Sequence, residues 1–144
     1  MRHLLFASIL LLGTSTIANA TNLKSFSIEA VAQKTTGDKY AMLVQNTKSL
    51  RSSIMTATEM KKERPTITFE IVIMGPVVQD LNKEELRTEL DAANKAGIKL
   101  VVCEFALKVF GIELKSLPSY IQGTPNAHKY MFQLQENKYN TLSI

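Results

Sequence analysis

Residues 96–103 read AGIKLVVC, and this stretch decides the fold. From Ile98 to Cys103 the chain is apolar at nearly every position, which is typical of a central strand covered on both faces. Gly97 stands where a preceding helix is expected to end. That helix is predicted from apolar residues that share one face, namely Leu86, Leu90 and Ala93. A buried strand that directly follows an amphipathic helix indicates an α/β protein.

The same alternation of strand and helix continues on both sides of this stretch. Asn82 and Glu85 are spaced as a capping box, which predicts where the central helix begins. Four more strands are predicted, at residues 39–45, 66–74, 117–122 and 139–144. Three more helices are predicted, from Asn46-Thr47 to about residue 62, over residues 104–110, and from Pro125-Asn126 onward. Residues 39–144 are therefore expected to form a three-layer α/β/α domain with a mostly parallel five-stranded sheet.

The helices also predict which of their side chains enter the core. Helical spacing of apolar residues places one set of side chains inward in the first and last helices. These are Leu50, Ile54 and Ala57 in the first helix and Ala127, Met131 and Leu134 in the last.

Composition narrows the class of protein without identifying an activity. The chain has 144 residues, 45% hydrophobic and 21% charged, which favours one globular domain over a disordered chain. Basic residues exceed acidic ones by 17 to 13, but they are scattered, so no nucleic-acid partner is expected. The single cysteine excludes an internal disulfide and a cysteine-rich metal site.

The first 20 residues have the pattern of a secretory signal peptide. Arg2 precedes an apolar run from Leu4 to Gly13, and Ala18-Asn19-Ala20 matches a cleavage site, so cleavage is predicted after Ala20. The alternative is a membrane anchor, but the run is shorter than the roughly 20 residues that a span needs. We expect a soluble periplasmic or secreted protein. Residues 21–38 form a polar leader, with a short ordered piece expected at residues 26–31.

The candidate site lies where the strands end. In an open parallel sheet, ligands bind beyond the carboxyl ends of the strands. Cys103 ends the third predicted strand, Gly75-Pro76 follows the second, and residues 123–126 follow the fourth. We predict Cys103 as the reactive residue. The residues predicted to line its pocket are Gly75, Pro76, Gly123, Thr124 and Asn126.

Two interpretations of Cys103 remain open from the residues alone. At the start of a helix, free amides and the positive helix end favour a thiolate, whereas the negative charge of Glu104 opposes it. A free cysteine is also one of the most often buried residues and frequently acts as a small hydrophobic side chain. His128 could assist the thiol, but a surface position is favoured because no second signal accompanies it.

Several motifs together resemble the DsrE/DsrF-like family, which includes DsrE, TusD and the YchN-type proteins. They are FEIVIMG at residues 69–75, AGIKLVVC at 96–103, and the spacing Cys103-x3-Leu107-x3-Gly111-Ile112. Leu117-Pro118 follows, and Leu134-Gln135 precedes Tyr139. The resemblance covers residues 67–143. It implies a parallel α/β sheet, flavodoxin-like in outline.

The resemblance also implies a function. Several family members hold persulfide sulfur on a cysteine at this strand end, and that role falls on Cys103. It implies a homo-oligomer, a trimer or hexamer, that exchanges sulfur with a thiol or persulfide protein partner. Neither a metal nor an organic cofactor is expected. Because some members lack the cysteine, the alternative is a non-catalytic binding or assembly module in which Cys103 is buried and structural.

Overall fold

The computed structural model describes residues 37–144. The predicted signal peptide lies outside this range, and so does the leader apart from Gly37 and Asp38, including the ordered piece expected at residues 26–31. Among residues 37–144, no helix has the length and apolar character needed to cross a membrane.

Strands and helices alternate along the described chain. The strands are β1 (Lys39–Val44), β2 (Thr68–Ile73), β3 (Lys99–Cys103), β4 (Ile121–Thr124) and β5 (Asn140–Ser143). The α-helices are α1 (Thr47–Glu63), α2 (Glu84–Lys95), α3 (Glu104–Val109) and α4 (Ala127–Glu136). Short 3₁₀ helices cover Gly75–Asp80 and Leu114–Ser116.

The five strands form one sheet in the order β4-β3-β2-β1-β5, and every pair is parallel. The chain steps from β1 to β4 in one direction and then returns through α4 to the opposite edge. With right-handed crossovers, this reversal places α4 on one face of the sheet and α1 and α2 on the other. An ion pair between Arg51 and Glu89 joins α1 to α2. The predicted three-layer α/β/α fold with a parallel five-stranded sheet is confirmed.

The core follows the predicted apolar faces of the helices. The inward positions of α1, α2 and α4 are all buried, as are Val101 and Val102 of the central strand β3. In β2, Phe69, Ile71 and Ile73 lie on one face. Strand β2 is buried on both faces, so that Glu70 on the other face is enclosed as well.

Two local expectations are wrong. Helix α2 begins at Glu84 with Lys83 at its cap position and without a side-chain cap, so Asn82 and Glu85 do not form the expected capping box. The chain entering α2 is held instead by Asp80, which accepts hydrogen bonds from Thr47 and the Lys83 backbone. The fourth strand is Ile121–Thr124 rather than 117–122, because the backbone turns between Pro118 and Ile121. Gly123 and Thr124 therefore belong to the strand.

Candidate functional site

The structure brings the predicted site residues to one edge of the sheet. Strand β3 pairs with β2 on one side and with β4 on the other, so the chain segments that follow these strands meet at their carboxyl ends. Gly75 leaves β2 with φ +73°, a left-handed conformation that glycine adopts readily. Pro76 lies in the first turn of the 3₁₀ helix Gly75–Asp80, which packs against α3. We call this edge, with Gly75, Cys103 and Thr124, the carboxyl rim.

Cys103 is the last residue of β3 and is 4% exposed. Its thiol is free. The residue occupies the cap position of α3, but its side chain makes no capping hydrogen bond. Helix α3 has only six residues, and because the helix dipole sums over aligned peptide units, it supplies little of the positive end expected from the sequence. The sheet therefore fixes the position of Cys103 at the carboxyl rim, whereas helix α3 contributes little to activating its thiol.

Thr124 is the residue of β4 that pairs with Cys103. In a parallel pair, opposed residues point to the same face, so both side chains lie on the face that α4 covers. Thr124 is 7% exposed. Among residues 37–144, the enclosed polar side-chain atoms without a partner are Ser53 Oγ and Arg87 Nε. The Thr124 hydroxyl makes no hydrogen bond in this part of the chain, so its oxygen must keep some contact with solvent.

The other two predicted pocket residues have different surroundings. Gly123 pairs with Val102 and lies on the opposite face from Cys103. A Cβ atom at this position would overlap Glu104 Oε1 and Leu114 Cδ2, so the Glu104 side chain packs directly over Gly123. Asn126 caps α4, where its Oδ1 accepts a hydrogen bond of 3.0 Å from the Lys129 backbone N–H.

A cavity of about 640 Å³ lies beside the carboxyl rim and is bounded by α3 and the segment that follows it. Its lining includes the apolar residues Phe105, Leu107, Ile112 and Leu114, together with Glu104, but not Cys103. Phe105 is 68% exposed. The wall of this cavity is therefore mainly apolar, with the acidic Glu113 and the basic Lys108 also among its lining residues. His128 is exposed on α4, as favoured from the sequence.

A polar cluster that sequence reasoning missed lies at the opposite, amino end of the sheet, also on the α4 face. Glu70 is 3% exposed. Its Oε1 accepts a hydrogen bond from Tyr139 at 2.8 Å, and its Oε2 accepts one from Tyr130 at 2.7 Å. Lys99 Nζ lies 3.2 Å from Glu70 Oε2 and donates to Tyr130 Oη at 2.8 Å. We call Glu70, Lys99, Tyr130 and Tyr139 the amino-end cluster.

Burial and mutual hydrogen bonding shift the titration of this cluster. Burial, together with the hydrogen bond to Glu70, raises the pKa of Tyr139 to about 12. Burial also raises the pKa of Tyr130. For Lys99, burial disfavours the charged form, but the hydrogen bonds to Tyr130 and Glu70 outweigh it and raise the pKa. Both tyrosines are therefore neutral and Lys99 is charged at neutral pH. The one signal for this cluster in the sequence is a glutamate inside the apolar strand TFEIVI.

The comparison with known proteins finds similarity in the fold of the chain. No family model matches the sequence, and no curated protein matches it. Among solved structures, a protein of unknown function, MTH1491 from Methanobacterium thermoautotrophicum, is 12% identical with a TM-score of 0.66. The match covers 74% of this chain and 98% of that one.

Two further solved structures are similar over the same share of this chain. BT1422, a conserved protein of unknown function from Bacteroides thetaiotaomicron, is 18% identical with a TM-score of 0.60, and 96% of it is covered. The ychN protein of E. coli is 13% identical with a TM-score of 0.60, and 99% of it is covered. These similarities show that the described domain has the fold of the ychN protein.

Proposed function

We propose that this protein is a DsrE-like sulfur carrier that holds sulfur as a persulfide on Cys103. The observation behind the proposal is that the chain's only cysteine lies at the carboxyl end of a central strand, beside Thr124, whose hydroxyl makes no hydrogen bond to another of the residues 37–144. Carboxyl ends of parallel strands are where ligands bind in such sheets. The fold shared with the ychN protein and the sequence motifs around Cys103 support the same assignment.

The proposed reaction is an exchange between thiols. The Cys103 thiolate attacks the outer sulfur of a donor persulfide, forming a new S–S bond while the donor's S–S bond breaks and its thiolate leaves. A second thiolate, on the acceptor, then attacks the sulfur held on Cys103 and releases Cys103 as a thiolate. The transferred sulfur keeps its oxidation state throughout, so neither a metal nor a redox cofactor takes part.

The proposal includes partners and a location. A thiol or persulfide protein would deliver or accept the sulfur, and the signal peptide would direct the protein to the periplasm or outside the cell. Assembly into a trimer or hexamer would fit the exposed apolar side chains of α3, because Phe105 and Val109 are 68% and 60% exposed beside the carboxyl rim.

A second candidate is a non-catalytic binding or assembly module in which Cys103 fills space in the core. Its burial is the observation that favours this function, since only 4% of the residue is exposed.

The two functions differ in what a sulfur donor does to the protein. The native chain is incubated with polysulfide, and separately with thiosulfate, and is then weighed intact, with Cys103→Ala as the matched control. A carrier gains the mass of sulfur on the wild type and not on the variant. If the wild type gains none while a known persulfide carrier does so in parallel, the sulfur-carrier proposal is wrong.

Alkylation tests whether the thiol can be reached. The rate of reaction with iodoacetamide is measured across pH in the native protein and in denaturant. A carrier thiol reacts in the native state at neutral pH, whereas a purely structural thiol reacts only after unfolding.

A further inference from the structure

Thr124 places a hydroxyl group at the end of the edge strand β4, next to Cys103. A hydroxyl that loses water needs a replacement hydrogen bond, and a ligand could supply that bond. Thr124 is 7% exposed and its hydroxyl makes no hydrogen bond within residues 37–144. Its oxygen is not one of the enclosed polar atoms without a partner in this part of the chain, so it is open to solvent or to a ligand. The residue pairs with Cys103 and lies on the same face of the sheet. An unused donor and the chain's only thiol are therefore neighbours.

The spacing between neighbouring strands shows what the Thr124 hydroxyl could reach. Neighbouring strands lie about 4.8 Å apart, so the side chains of Cys103 and Thr124 start from adjacent positions. The hydroxyl makes no hydrogen bond to the Cys103 sulfur in the structure. A persulfide adds one S–S bond of about 2 Å to the side chain. The outer sulfur of the persulfide can then come within hydrogen-bonding distance of the Thr124 hydroxyl, which does not bond to the thiol sulfur itself.

We propose that Thr124 is a sulfur-binding residue, whose hydroxyl donates a hydrogen bond to the outer sulfur of the Cys103 persulfide. This inference rests on the proposed function of Cys103. The outer sulfur bears the negative charge of an ionised persulfide, and hydrogen bonds to charged groups are stronger than those between neutral groups. The bond exists only while sulfur is loaded, and in the free protein the hydroxyl is left to solvent.

The test compares Thr124→Val, which replaces the hydroxyl by a methyl group of similar size, with Thr124→Ser, which keeps the hydroxyl. Each protein is loaded with polysulfide, and the fraction and lifetime of the persulfide on Cys103 are followed by intact mass. We expect the valine variant to lose about tenfold in lifetime, and the serine variant to stay within about twofold of the wild type. The alkylation rate of the unloaded thiol should be nearly the same in all three, because the hydroxyl acts on the outer sulfur.

Two results would overturn the assignment of Thr124 alone. Either the valine variant holds its persulfide as long as the wild type, or the serine variant is as poor as the valine variant. A wild type that never loads sulfur would remove the proposed function of Cys103 and this inference with it, so the two failures are distinguishable. If the valine variant does not fold, as judged by circular dichroism, Thr124→Ala replaces it in the comparison with serine.

Discussion

The two ends of the sheet under α4 differ in how their polar groups are used. At the amino end, the buried Glu70 carboxylate accepts hydrogen bonds from Tyr130 and Tyr139 and an ion pair from Lys99. At the carboxyl end, Cys103 and Thr124 are equally buried, but neither side chain makes a hydrogen bond within the described residues. One face of the sheet therefore carries a fully paired polar cluster at its amino end and, at its carboxyl end, a thiol and a hydroxyl that bond to no other described residue.

The difference indicates a division between stability and function. A buried polar network whose members are all satisfied fixes a single arrangement, and the amino-end cluster ties β2, β3, α4 and the start of β5 together. The thiol and hydroxyl at the carboxyl rim take part in no such network, so they contribute less to the fold and are available for another role. We therefore expect mutations at the amino end to lower stability and mutations at the carboxyl rim to change chemistry.

The largest effect is expected from Glu70→Ala. Removing the carboxylate leaves the Lys99 ammonium and two tyrosine hydroxyls without their acceptor in a mostly buried place. The free energy of unfolding should fall by about 3 kcal/mol, measured by urea denaturation.

The matched control for that change is Glu136→Ala. Glu136 lines a cavity together with the amino-end cluster but is exposed, and its removal should change stability by no more than about 0.5 kcal/mol. Equal stability of the two variants would contradict the stabilising role assigned to the amino-end cluster.

Tyr139→Phe should have an intermediate effect. It deletes one hydrogen bond of 2.8 Å to the Glu70 carboxylate while keeping the ring, and stability should fall by about 1.5 kcal/mol in the same assay. Tyr40→Phe is the control, because the Tyr40 hydroxyl accepts only from Arg64 at an exposed position. A larger loss in the Tyr40 variant would show that the buried cluster is not what makes Tyr139 important.

Alkaline pH should weaken the amino-end cluster. The pKa of Tyr139 is raised to about 12 by burial and the bond to Glu70, against about 10 for an unfolded tyrosine. The stabilisation is complete below pH 10 and is lost as pH rises toward 12, because the unfolded chain releases its proton first. Stability measured from pH 8 to 12 should therefore fall more steeply in the wild type than in Tyr139→Phe. Parallel curves would show that Tyr139 does not contribute to this pH dependence.

Local patterns in the sequence predict most of this fold. The apolar spacing of α1, α2 and α4 identifies their buried faces, and the run that ends at Cys103 identifies a central strand, because burial acts on each element separately. The limits of β4 are missed, since the turn after Pro118 depends on a backbone hydrogen bond from Ile121. The start of α2 is missed because Asp80 is held by Thr47, which is 33 residues away.

The candidate site, like the fold, can be predicted from the sequence only in part. The topological rule for parallel sheets predicts that Cys103, Gly75 and Thr124 meet at one edge. The amino-end cluster is not predictable from the sequence, because the Tyr130 and Tyr139 hydroxyls reach Glu70 across 60 and 69 residues. A glutamate inside an apolar strand indicates a buried charge, but only the structure identifies its partners.

The smallest expected effect is a gain in stability rather than a loss, and it distinguishes the two ends of the sheet most clearly. Thr124→Val replaces a hydroxyl that bonds to no other described residue by a methyl group on a mostly buried side chain, so the free energy of unfolding should rise by about 0.5 kcal/mol. Thr141→Val is the control on the same face, because the Thr141 hydroxyl accepts a hydrogen bond of 2.9 Å from Gln135, and its loss should lower stability by a similar amount. Both are measured by urea denaturation with no sulfur bound. If Thr124→Val is destabilised as much as Thr141→Val, the Thr124 hydroxyl serves the fold, and the contrast between the paired and unpaired ends of the sheet does not hold.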